Sequence, residues 1–278
     1  MVIGYSFSVA GLLFPYHIGV CSAIRGSDLY TPRSPVNGAS GGALAACCLA
    51  AGLPDSASLA ASQSVADECT ERGAFLNLGS ILKSELDSLV TDKLIENLNA
   101  RPGLVSFSYT AFDPLPSPRL ARPPFDCETL KASLRASSHI PLYSSVSPVV
   151  RVKEELCVDG FVSSPATLGM RQEPGAEKTG EEAPTHTPAC AAVDSTNFFF
   201  LTFASLAAVF VTPFAGLSGV GADLIAPREG EVPFPADEYV ALALGRPGPS
   251  EAQHELLFSL GVSCAERWIE ESINSNIT

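Results

Sequence analysis

An α/β protein is predicted, a three-layer α/β/α sandwich with a mostly parallel central sheet, because strand-like and helix-like segments alternate along most of the chain. Three observations carry this. Strand, turn and helix follow one another twice between Val2 and Ala51, two amphipathic helical stretches come next, and further extended runs alternate with helical ones after them. The 278 residues, 46% of them hydrophobic, can bury a sizeable core, and they are read as one domain.

Val2 to Ser8 is a short β-prone run that ends at the turn around Val9 to Pro15, and Tyr16 to Arg25 reads as a helix. Ser34 to Gly38 is again extended and runs into Gly41 to Ala51, whose Ala, Leu and Cys residues suit a buried helix. Asp55 to Arg72 and Ser80 to Asn99 have the apolar stripe of surface helices, the second through Ile81, Leu82, Leu86, Leu89, Val90, Leu94, Ile95 and Leu98. Leu104 to Phe112 alternates as a strand, Asp126 is placed to cap a helix carrying Leu130 and Leu134, and Val149 to Val158 reads as one more strand.

Residues 171 to 197 break this order. They are rich in Glu, Pro, Gly, Thr and Ala without apolar period, the composition of a disordered insertion. Phe198 to Ala222 holds no charged residue, but Pro213, Gly216, Gly219 and Gly221 interrupt it, which favours a buried strand near Ala207 to Val211 over a membrane span. The final helix is expected from Ser250 to Ser272, with Leu256, Leu257, Leu260, Cys264, Trp268 and Ile269 inward.

A net charge of −13, with 17 Lys and Arg that form no run or stripe, excludes the field that would attract nucleic acid. It also opposes ionic docking on anionic lipid, so contact with a lipid droplet or membrane surface is expected to be apolar. The eight Cys show neither CxxC pairs nor metal-ligand spacing and are read as buried free thiols. With Arg25 the first basic residue, the apolar start lacks the charged region of a secretory signal, so an intracellular, cytoplasmic location is expected.

Chemistry concentrates at Gly38, Ala39, Ser40, Gly41 and Gly42, a GxSxG between an extended segment and a small-residue helix. A nucleophilic serine needs such a strained strand-to-helix turn, where glycines let neighbouring backbones pass close and helix N–H groups face the developing oxyanion. A plain glycine-rich turn would have the same string. The usual partner would be histidine, yet His17 falls inside a helical segment, His186 in the insertion, His254 among exposed residues of the last helix, and His139 offers nothing more persuasive. Asp159 ends a strand and precedes Gly160, so its carboxylate would emerge at a sheet edge; partly desolvated beside Ser40, it could serve as base. An Asp–Gly after a strand is also an ordinary turn.

Together, Ser6 to Gly11 with Tyr16 to Val20, Gly38 to Gly42, and Val158 to Gly160 make the chain resemble the patatin-like phospholipases, in particular the branch containing adipose triglyceride lipase and adiponutrin. The likeness extends through Ser138 to Pro141 and Thr212 to Gly216 to the final helix. It implies a lipid acyl-ester hydrolase with a Ser40–Asp159 dyad and an acyl-serine intermediate. It also implies an oxyanion hole from the N–H groups of Ala10, Gly11 and Gly41, a glycerolipid substrate, and no metal or organic cofactor. Two features depart from the family pattern, Val9 and Ala10 standing where the loop has glycines, and Phe161 following Asp159–Gly160 where the family has Gly or Ala. A left-handed backbone at Val9 or Ala10 would cost about 1 to 2 kcal/mol and distort the hole. A catalytically impaired lipid-surface or acyl-binding protein is therefore the alternative, and a triad esterase using His254 a third.

Overall fold

The computed structural model describes residues 2–163, 207–215 and 223–275. Its first strand, β1 (Ile3–Phe7), leads through a 3-10 turn at Gly11–Leu13 into α1 (Phe14–Arg25), two residues ahead of the expected start because Pro15 suits a first helical turn. Next come β2 (Val36–Ala39), α2 (Gly41–Ala51), α3 (Asp55–Arg72), α4 (Leu78–Leu89) and α5 (Asp92–Ala100). β3 (Val105–Phe112) and β4 (Pro116–Ala121) form a hairpin, followed by α6 (Cys127–Ser137), β5 (Val150–Val152) and β6 (Glu155–Asp159). Beyond the 3-10 turn Gly160–Ser163 stand β7 (Ala207–Val211), β8 (Asp223–Ile225), α7 (Ala236–Ala243) and α8 (Glu251–Ser275).

The strands form one sheet in the order β5-β6-β3-β2-β1-β7-β8, with β4 also on β3. Its centre is parallel, through β3-β2, β2-β1, β1-β7 and β7-β8, whereas β4, β6 and β5 join antiparallel. The expected α/β sheet flanked by helices is thus present, including the strand foreseen at Ala207 to Val211. Side chains alternate across it. Tyr5, Phe7, Val36, Val105 and Phe107 belong to the large apolar cluster that α1, α2 and α8 complete. Ser6, Asn37, Ser106 and Ser108 face the other way, where the Asn37 amide accepts from Ser6 and donates to both other hydroxyls.

Helices α1 and α8 touch backbone to backbone: a Cβ on Gly19 would lie 2.1 Å from the Phe258 carbonyl oxygen, and one on Gly261 2.0 Å from that of Tyr16. Small residues permit this approach.

Several expectations are corrected. The stretch Ser80 to Asn99 is two helices, because the Thr91 hydroxyl accepts from the Leu94 N–H at 3.2 Å and caps a new start. Val149 to Val158 is a hairpin of β5 and β6 that turns at Lys153 with φ 53°. Strand β4, with two prolines, and helix α7 were not anticipated. Leu256 is exposed rather than inward, while Leu257, Cys264 and Trp268 are buried. Asp126 caps α6 as expected, accepting from Thr129 N–H at 2.7 Å. The described cysteines are free and mostly buried; Cys190 and the insertion 171–197 lie outside the described residues. No described helix is long and apolar enough to cross a membrane.

Candidate active site

Ser40 stands between β2 and α2 at φ 56°, ψ −128°, a conformation that L-residues other than glycine rarely adopt. Such a residue persists only when its surroundings hold it. Here the holding group is Ser137 at the end of α6. Its hydroxyl accepts from the Ser40 N–H at 2.9 Å and donates to the Ser108 carbonyl oxygen of β3 at 2.6 Å, with all three residues buried. Sequence reasoning did not single out Ser137; a serine at a helix end is too common a signal.

The glycines flanking Ser40 are required sterically. A Cβ on Gly38 would lie 2.1 Å from the Gly42 carbonyl oxygen, and one on Gly42 2.3 Å from that of Ser8, so β1, β2 and α2 meet where no side chain fits.

Asp159 reaches the same place from β6. Ala39 pairs with Ser108 and Tyr109 with Asp159, so β3 sets the ends of β2 and β6 level. The chain then turns back across β3: a Cβ on Gly160 would lie 2.7 Å from the Ser108 carbonyl oxygen and 3.3 Å from the Ala39 methyl, which explains glycine there. Phe161, one residue on, is 42% exposed, so its ring does not crowd the site.

The Asp159 carboxylate is buried, 3% exposed, and burial pushes its pKa up to about 6. A hydrogen bond from the Phe161 N–H, at 2.8 Å, and the nearby Ser40 hydroxyl oppose that rise. The group remains mostly ionised at neutral pH, yet far more basic than a solvated Asp. Its own backbone is fixed by N–H donation to the His139 carbonyl oxygen at 2.9 Å and by the Thr110 hydroxyl on its carbonyl at 2.8 Å.

The loop after β1 approaches from the other side. Gly11 has φ 55°, and a Cβ on it would lie 2.0 Å from the Ala243 carbonyl oxygen. A Cβ on Gly41 would lie 3.3 Å from the Gly11 nitrogen and 3.2 Å from the Ala10 methyl, so the loop borders the start of α2. The concern over Val9 and Ala10 is not supported. Ala10 has φ −141° and Val9 is absent from the positive-φ residues, so the left-handed turn falls on Gly11 alone.

None of the described histidines is bonded to Ser40. His17 contacts the Ser8 carbonyl oxygen at 3.0 Å and its pKa falls to about 4 through burial. His139 contacts the Ser147 carbonyl oxygen, and His254, buried rather than exposed, contacts the Ser62 hydroxyl and the Ser250 carbonyl oxygen. Burial lowers the pKa of both.

Ser40 opens into a narrow pocket of about 80 Å³ that is partly open to solvent. Leu44 and Cys47 of α2, Leu82 and Leu86 of α4, and Leu94 of α5 make its walls apolar, with Tyr143 and Leu244 also among its lining. Free space of this kind matches a flexible hydrocarbon chain better than a polar ligand.

A strained serine in the turn between β2 and α2, at the C-terminal edge of a parallel sheet and beside an apolar pocket, places the chain among α/β proteins that carry a strand–turn–helix serine. Comparison with family models matches residues 6–170 to the Patatin model, described as patatin-like phospholipase, and the chain belongs to that family. Among solved structures, VipD from Legionella pneumophila superposes with a TM-score of 0.53 at 11% identity, over 97% of this chain and 67% of that one, a similarity of fold. Comparison with curated sequences finds no match. Family membership makes lipid acyl hydrolysis the activity this fold is associated with.

Proposed function

We propose that the chain hydrolyses acyl esters of glycerolipids through an acyl-Ser40 intermediate, with Asp159 as base. The observation carrying this is the buried Asp159 carboxylate, raised to a pKa of about 6 by burial and near enough to the Ser40 hydroxyl to be stabilised by it, beside an apolar pocket. Asp159 takes the Ser40 proton as the serine oxygen attacks the ester carbonyl, and returns it to the leaving alcohol. It then takes a proton from water as water attacks the acyl-enzyme, and passes it to the Ser40 oxygen as the acyl C–O bond breaks and the fatty acid leaves, so serine and carboxylate are restored.

The oxyanion formed in each step needs N–H donors. Gly41 opens α2, and the first N–H groups of a helix lack an intrahelical acceptor. Gly11 and Ala10 border it, which supports all three N–H groups as the hole. The backbone conformations of Val9 and Ala10 give no support to the impaired alternative, and the partners of His254 give none to a triad. The Tyr16-to-Val20 stretch supports placement in the triacylglycerol-lipase branch, with a cytoplasmic site of action on a lipid droplet or membrane surface.

Turnover of a p-nitrophenyl acyl ester and labelling by a fluorophosphonate test this reading. Both should disappear in Ser40→Ala with the fold retained; labelling that persists in the variant sinks Ser40 as nucleophile.

A further inference from the structure

The pocket has an exposed apolar rim that the chemistry does not use. Phe75 lies edge-on to the lining residue Tyr143, ring centroids 5.8 Å apart, and Leu76 donates its N–H to the Tyr143 carbonyl oxygen. Leu142, adjacent in the chain, has φ 57°. Phe75, Leu76 and Leu142 are 53, 36 and 59% exposed. Single exposed apolar residues are ordinary on any surface, but here Phe75 meets the Tyr143 ring, Leu76 its carbonyl, and Leu142 precedes it in the chain, so three stand beside one pocket-lining residue.

Arg246 completes the rim. Its guanidinium carbon lies 4.9 Å from the Tyr143 ring centroid and 5.6 Å from that of Phe75, and its Nε donates to the Tyr143 hydroxyl at 3.2 Å. It has no carboxylate partner among the described residues. An exposed cation framed by aromatic rings in a chain of net charge −13 is complementary to phosphate, and the rings and leucines beside it to acyl chains. The acidity of the rest of the molecule disfavours a strongly anionic membrane.

We propose that Phe75, Leu76, Leu142 and Arg246 are the surface by which the chain seats on a zwitterionic phospholipid layer. The three apolar side chains enter the acyl region and Arg246 pairs with a lipid phosphate. The pocket mouth then faces the layer, and an acyl chain reaches Ser40 without crossing water. The assignment rests on reading the pocket as an acyl site, but its test does not require turnover.

The test is co-flotation of Ser40→Ala protein with phosphatidylcholine vesicles, so that no lipid is consumed. The partition coefficient should fall by about tenfold or more with added Phe75→Ser and Leu142→Ser, and by about fivefold with Arg246→Gln. Ile273→Ser, a comparably exposed apolar position near the C-terminal end of α8, should leave it unchanged. In the Ser40 protein the same rim substitutions should leave turnover of a soluble short-chain ester within about twofold. Absence of co-flotation, co-flotation indifferent to the rim substitutions, or an equal loss from Ile273→Ser overturns the docking surface. Absence of ester turnover with rim-dependent flotation overturns the hydrolase reading instead and leaves the surface standing.

Discussion

Two turns meet around Ser40 and carry their backbone strain differently. On the proposed mechanism the loop after β1 needs only N–H groups at its tip, and its left-handed residue is Gly11, which adopts φ 55° without a Cβ to oppose it. On the same reading the turn after β2 needs a hydroxyl, so its φ of 56° falls on Ser40, and neighbours hold it: Ser137 on its N–H, Gly38 and Gly42 where the backbones close in. Where chemistry requires a side chain, conformational cost cannot be avoided by choosing glycine; it is offset by hydrogen bonds.

The largest expected effect breaks the partnership of Ser40 with Asp159. Asp159→Asn should lower acyl-ester turnover by at least about 1000-fold, because an amide cannot accept the serine proton. It should also stabilise the fold. The native pKa of about 6 lies above the ordinary 3.8, so the buried charge destabilises the protein above about pH 6 and the penalty disappears below about pH 4. Thermal melts should show Asn more stable by about 3 kcal/mol at pH 8, the difference vanishing near pH 4. Wild-type turnover should rise as pH passes upward through about 6. Near-normal turnover in the variant would remove Asp159 from the mechanism.

Next in size is Gly11→Ala, which places a methyl 2.0 Å from the Ala243 carbonyl oxygen on a left-handed backbone. Displacing the loop should cost about 100-fold in kcat, the scale of one lost oxyanion donor, with a fall in melting temperature. Unchanged kcat would separate the loop from the hole.

Ser137→Ala leaves the Ser40 N–H and the Ser108 carbonyl oxygen without their shared partner. Stability should fall by about 1 to 3 kcal/mol, and kcat by about tenfold as the elbow relaxes. Ser137→Thr, which keeps the hydroxyl, should recover kcat if space for the methyl can be made; Ser137→Ala turning over normally would show that Ser40 holds its conformation unaided.

The smallest effect is expected from Val9→Gly with Ala10→Gly. Since neither residue occupies a left-handed conformation, glycine relieves nothing there and each replacement destabilises by about 0.5 to 1 kcal/mol. Turnover should change less than about threefold; a clear gain would restore the idea that this loop is strained.

Ser40 and Asp159 were legible because each combines a local string with a structural position: a glycine-flanked serine between strand and helix, and an acid ending a strand before Gly160. Elements bounded by glycine or proline were legible for the same reason. Other boundaries depended on signals that local pattern conceals. The apolar stripe of α4 continues into α5 through Leu89, Val90 and Leu94, so the break at Thr91 does not interrupt it. The β5–β6 turn uses Lys153 with positive φ where a turn ordinarily advertises Gly or Asn. Ser137 and Ser108 are far apart in sequence and join only through β3 and α6, and the backbone demand at Gly11 is visible only once Ala243 is packed against it.

The central position of β1 has a consequence for how the chain comes into being. Its registers pair Tyr5 with Val36 on one edge and Ile3 with Ala207 on the other, and α1 packs on α8. A ribosome adding 5 to 20 residues per second reaches Ala207 roughly 10 to 40 s after Ile3. Throughout that interval β1 can be paired by β2 but lacks its second neighbour, leaving an apolar strand edge open to other chains. The loop after β1, whose Gly11 packs against Ala243, therefore takes its final position late, when the last quarter of the chain has emerged.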